Sequence, residues 1–93
     1  MGFLDWFRST VDIECDRIRA LPPNEIHRWC WSPTGLPAHC RALMESLAAW
    51  RNAGWNVWWR HWEHNLMHWE VEWCVEAYPR DIETIYRALM TGW

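Results

Sequence analysis

Three histidines, His61, His64 and His68, stand three and four residues apart near the middle of the chain. On a helix they share one side, and His64 with His68, at i and i+4, has the spacing at which two imidazoles chelate one metal ion. The intervening Asn65, Leu66 and Met67 lack the glutamate that serves as base in a His-Glu-x-x-His protease, which disfavours hydrolytic chemistry. His61, His64 and His68 are therefore an alternative reading as a binding site for zinc or another divalent metal; no other cofactor is expected. A second cluster, His27 and Cys30 followed by His39 and Cys40, fits zinc poorly, because adjacent His39 and Cys40 do not easily ligate one ion. Buried thiols account for all four cysteines, Cys15, Cys30, Cys40 and Cys74. No nucleophile motif surrounds them, and no glycine-rich phosphate loop is present. The acid pair Glu72 and Glu76 reads as a solvated helix flank. The chain is read as non-catalytic.

The stronger signal is aromatic. Of eleven tryptophans, Trp55, Trp58, Trp59, Trp62, Trp69 and Trp73, together with Leu66, fall within an arc of about 100° when wound as a helix. The opposite side carries Val57, His61, His64, His68, Val71 and Val75 where a solvated back would carry charge. A helix covered on two sides in so short a chain implies self-association, most simply a twofold dimer. Tryptophan and arginine dominate interface hot spots. The expected contact residues are Trp58, Trp62 and Trp69, with Trp29 and Trp31 from a loop region and Arg51 and Arg60 as polar rim.

The elements that must position these residues read as an all-α bundle of about four helices in a single domain, residues 1–93. The helices span roughly residues 3–21, 37–53, 55–77 and 80–91, with a Pro/Gly-containing loop at 22–36 in which 24–31 forms a short helical turn. Leu4, Phe7, Val11, Cys15 and Ile18 recur at helical spacing in the first, and Pro22-Pro23 stops it. Pro37 suits a first helical position, and Gly54 a terminator. Tyr78-Pro79 breaks the third helix, and Ile82, Ile85, Tyr86, Leu89 and Met90 form the apolar face of the last. Short connections make the helices antiparallel neighbours.

Composition limits the partners. Twelve acids face nine bases for a net charge of −3, spread without blocks, so no electrostatic footprint for nucleic acid is present. No apolar run approaches the ~20 residues of a membrane span. Residues 1–7 lack the basic start of a signal peptide, although Phe3, Leu4, Trp6 and Phe7 form an apolar cluster that would be the point of any membrane contact. The expected compartment is the cytoplasm, where cysteines stay reduced; the even count of four leaves disulfides open for an exported protein. All nine bases are arginine, a usage that suits a GC-rich coding sequence. The expectation is a small host-protein-binding or inhibitory accessory protein of a GC-rich bacterium or phage that acts through a Trp-rich helix.

Overall fold

The computed structural model describes residues 8–93. In chain order they form α1 (Thr10–Arg19), β1 (His27–Trp31), β2 (Thr34–Gly35), α2 (Pro37–Asn52), β3 (Val57–Asn65), β4 (His68–Ala77) and α3 (Pro79–Met90). The architecture is mixed: three helices lie on one side of an antiparallel sheet. The expected all-α bundle is therefore incorrect, and the error lies in residues 55–77, which form a β-hairpin in place of a helix.

The physical reason is a degenerate spacing. Four residues are about one helical turn, but also two full pleats of a strand. Trp55, Trp59, Trp69 and Trp73 are separated by even numbers, so they satisfy a strand period as well as a helical one. Within β4, Trp69, Val71, Trp73, Val75 and Ala77 alternate with Glu70, Glu72, Cys74 and Glu76, a period of two that places carboxylates on the other face. The β-branched and aromatic side chains of β3 and β4 lose rotamer freedom in a helix and pack well on a pleated surface. The reversal falls at Leu66 and Met67, both highly exposed, where the Asn65 side-chain Oδ1 accepts the Met67 N–H at 2.8 Å. Such a turn lacks glycine and resembles a continuing helix in sequence.

β4 is the central strand. It pairs with β3 along one edge and with β1 and β2 along the other, all antiparallel. β1 and β2 keep one register against β4 and act as a single edge strand interrupted at Ser32-Pro33, across which the Pro33 carbonyl still accepts the Val71 N–H at 3.0 Å. The helical turn expected at 24–31 is thus strand β1 over much of its length.

The helix boundaries follow ordinary rules. Ser9 caps α1, accepting the Asp12 N–H at 3.1 Å. Pro37 and Pro79 open α2 and α3. Gly54 and Gly92 follow α2 and α3 with φ of 103° and 88°, left-handed conformations that favour glycine. The expected helices at 37–53 and 80–91 match α2 and α3 closely. The first is shorter than expected, starting at Thr10 behind the Ser9 cap and ending at Arg19, so Arg8 and Ser9 are not helical; the part of that expectation over residues 3–7, with the apolar cluster there, lies outside the described residues.

All three helices bury apolar faces on one side of the sheet. Cys15 and Ile18 of α1, Cys40, Leu43 and Leu47 of α2, and Ile82, Ile85, Tyr86 and Leu89 of α3 close over Val57, Val71, Trp73, Val75 and Ala77. Trp31 sits between Trp73 and Tyr86, with ring centroids 4.6 and 4.5 Å away. α1 is tied to α3 by Arg19 to Glu83 (2.5 Å) and Arg87 to Asp12 (3.1 Å). The Arg87 guanidinium bonded to Asp12 lowers that carboxyl's pKa, and Arg19 does the same for Glu83.

Cys30 and Cys74 are a disulfide, which corrects the expectation of four thiols. They are direct partners in the β1–β4 register, with Cα atoms 4.1 Å apart, a pairing that only the strand arrangement creates. Cys15 and Cys40 are free and buried, and burial raises both thiol pKa values, away from the thiolate that nucleophilic chemistry needs.

Candidate functional site

A sheet with helices on one side leaves its other side open. The strand period assigns the residues of that open face: Arg28 and Cys30 from β1, Ser32 and Thr34 beside it, Glu70, Glu72, Cys74 and Glu76 from β4, and Trp58, Arg60 and Trp62 from β3. No helix of the described residues packs against it.

Three glutamates run down the centre and hold both edges. Glu76 accepts from Arg28 on β1 and from Asn56 just before β3, each at 3.1 Å. Glu72 accepts from Arg60 at 3.0 Å. Glu70 accepts from the Ser32 hydroxyl at 2.5 Å and pairs with His64 Nε2 at 2.8 Å. The Ser32 hydrogen bond, with that of His64, lowers the Glu70 pKa. These cross-strand pairs orient the Arg28 and Arg60 side chains along the sheet.

The arginines in turn lie over the tryptophans. The Arg28 guanidinium lies 5.3 Å from the Trp58 ring centroid, and that of Arg60 lies 5.0 Å from Trp62. Trp58 and Trp62 nevertheless remain 37% and 39% exposed. A shallow cavity of about 240 Å³ lies beside them, lined by Trp58, Trp59, Arg60, Glu72 and Cys74. The face is therefore a row of indole and guanidinium planes, oriented by carboxylates on strands that the Cys30–Cys74 disulfide crosslinks. Such a surface offers contact area with little conformational entropy left to lose.

Of the residues expected at an interface, the structure brings together only Trp58, Arg60 and Trp62. Trp69 lies on the helix side, half-buried beneath Arg41, whose guanidinium is 4.8 Å from its ring. Trp29 and Trp31 are not loop residues. They belong to β1, point toward the helices and pack against the core, the Trp29 indole donating to Glu14 at 2.6 Å. Arg51 stacks over Trp59 at 4.4 Å, also on the helix side. Sequence reasoning did not find Arg28, Ser32, Glu70, Glu72 and Glu76 as members of the face. The alternation of Glu70, Glu72 and Glu76 with Val71, Trp73 and Val75 was the signal that could have found them.

The histidines divide as well. His61 occupies a helix-side position on β3, its ring 5.5 Å from that of Trp69. His64 and His68 are stacked 5.2 Å apart near the hairpin tip, with His64 bonded to Glu70. The three do not converge on one point, and among the described residues no group of three or more metal-ligating side chains is gathered. His27, Cys30, His39 and Cys40 are likewise dispersed: Cys30 is in the disulfide, Cys40 is in the core, and His39 stacks on Trp93 at 3.9 Å.

No family model, curated protein or solved structure matches this chain. No helix among the described residues is long and apolar enough to cross a membrane.

Proposed function

We propose that the protein is a binding module that occupies a surface of another protein with the open face of its sheet, Trp58 and Trp62 acting as anchors and Arg28 and Arg60 as their polar neighbours. The observation that carries this reading is the pair of half-exposed tryptophans held under arginines on a face that no helix of the described residues covers. Indole and guanidinium groups are the residue types that interface hot spots favour. The reading transfers the expected partner contact from a helix to a sheet and keeps the host-protein partner of a bacterial or phage accessory protein as its target class.

Single-stranded nucleic acid is the other ligand that stacks on sheet aromatics. The same face sets Glu70, Glu72 and Glu76 against Arg28 and Arg60, and the chain is acidic overall, so phosphate is opposed where it would have to lie. A metal-binding role would need His61 to leave the helix side and join His64 and His68, which makes it the weaker reading. The disulfide also bears on location: such bonds persist in oxidising surroundings, which favours an extracytoplasmic setting over the cytoplasm expected from sequence.

The test is affinity capture with three proteins of equal thermal stability: wild type, a Trp58→Ala/Trp62→Ala variant, and Arg51→Ala on the helix side. A partner retained by wild type and Arg51→Ala but lost by the double variant is the expected result. Equal capture by all three would reject the open face as the contact.

A further inference from the structure

The open face is not the only unpaired feature of the hairpin. β3 runs for nine residues along the edge of the sheet, and among the described residues no strand pairs with its outer side. The direction of its backbone groups follows from two hydrogen bonds. Glu76 N–H donates to the Asn56 carbonyl at 3.0 Å, so Asn56 and alternate residues after it, Trp58, Arg60 and Trp62, face β4 with their backbone groups. Val71 N–H donates in the opposite direction, to Pro33, which fixes the same alternation from the other side of β4. Trp59, His61 and Glu63 therefore aim N–H and C=O outward.

Natural edge strands are usually short, or protected by proline, lysine, a bulge or a covering helix. β3 has neither proline nor lysine, and its irregularity comes only at its end, between Glu63 and Asn65. The helix layer does not shield the distal half, since His61 and Glu63 are exposed although they lie on the helix side.

We propose that this edge pairs with β3 of a second copy, antiparallel and centred on His61, so that two sheets join into one. The charges of the strand select the register. Arg60 lies before the midpoint and Glu63 after it. Sliding the pairing one step toward the N-terminal side sets Arg60 against Arg60 of the second copy. Sliding it two steps the other way sets Glu63 against Glu63. Both place like charges directly opposite, which destabilises a sheet. The register centred on His61 pairs the whole regular outward-facing stretch, Trp59 to Glu63, and avoids both clashes. It puts Arg60 opposite Trp62 of the second copy, a contact of the kind it already makes within its own strand at 5.0 Å, and Glu63 opposite Trp59. The register centred on Trp62 also avoids the clashes but pairs fewer residues. The dimer is isologous, and it sets the Trp58, Arg60 and Trp62 rows of the two copies side by side on one broad face. The inference rests on backbone groups and charge order and stands whether or not the open face binds a further protein.

Sedimentation equilibrium of the full chain across concentrations tests it. Wild type is expected to be dimeric. His61→Pro removes an outward N–H while leaving the β3–β4 ladder intact, because proline is tolerated where the N–H faces away from the partner strand. Twofold symmetry removes two such bonds, so dimerisation should weaken on the order of tenfold to a hundredfold. Trp58→Ala/Trp62→Ala should dimerise far better than His61→Pro, which separates this edge from the open face. If His61→Pro disturbs the fold, His61→Cys supplies the result: oxidation should give a covalent dimer through position 61, more efficiently than through Trp62→Cys. Wild type that stays monomeric at high concentration, equal dimerisation by His61→Pro, or preferential crosslinking at position 62 would overturn the edge or its register.

Discussion

The two faces of β4 differ by one residue step and behave as different materials. Toward the helices, Val71, Trp73 and Val75 are fully buried and packed by three helices. Toward the open side, Glu70, Glu72, Cys74 and Glu76 use side-chain bonds to hold the two edge strands in place. Tryptophans on the two faces share chemistry but not circumstance: Trp73 has no exposed surface, whereas Trp62 keeps 39% of its surface exposed. The helix side draws its free energy from apolar burial, and the open side is held by cross-strand polar pairs and the disulfide with no hydrophobic layer of the described residues above it. Order without burial is what a contact surface needs.

The comparison breaks most visibly at Trp73. Trp73→Ala should cost ~3–5 kcal/mol in denaturant unfolding, the loss of a large buried side chain. Removing the crosslink from the open face comes next. Cys30→Ala/Cys74→Ala should lower stability by about 2–4 kcal/mol, because the bond closes a long loop. Alkylation of unfolded protein should label only Cys15 and Cys40 before reduction and all four cysteines after it. Trp62→Ala should change stability by less than ~1 kcal/mol while abolishing partner capture. A loss as large as that of Trp73 would make Trp62 a core residue in function.

The smallest effect concerns pH. Asp12, Glu70 and Glu83 have lowered pKa values, through Arg87, Ser32 and Arg19 respectively. A carboxyl lowered by folding contributes stability that is present above its unfolded value and lost as pH falls through its folded value. The thermal midpoint should therefore decline with acidification below the ordinary carboxylate range, and Glu83→Gln and Glu70→Gln should each flatten that decline. An unaltered slope in both would show that these pairs contribute no pH-dependent stability.

Some of this was legible in the chain. Pro37, Gly54, Pro79 and Gly92 bounded α2 and α3 by local rules alone, because a missing N–H or a left-handed φ acts where it stands. The hairpin was not legible from tryptophan spacing, since intervals of four suit both periods, and a turn at Asn65-Leu66-Met67 carries no glycine. The carboxylate alternation of β4 was the only local sign, and it competed with a longer aromatic pattern. The candidate site was found in part for the same reason. Trp58 and Trp62 share a face under either reading, whereas Arg60 joins them only on a strand, and Arg28, Ser32 and Glu76 only across strand pairs.

By itself the sequence determined the boundaries of α2 and α3, an aromatic excess larger than a small core requires, and a charge balance that offers phosphate little attraction. Tertiary structure decided which tryptophans are buried, that Cys30 meets Cys74, and that His61 parts from His64 and His68. Those outcomes depend on strand register, in which a single-residue step exchanges the two faces. Register is set by contacts between residues as far apart as β1 and β4, and no local pattern encodes it.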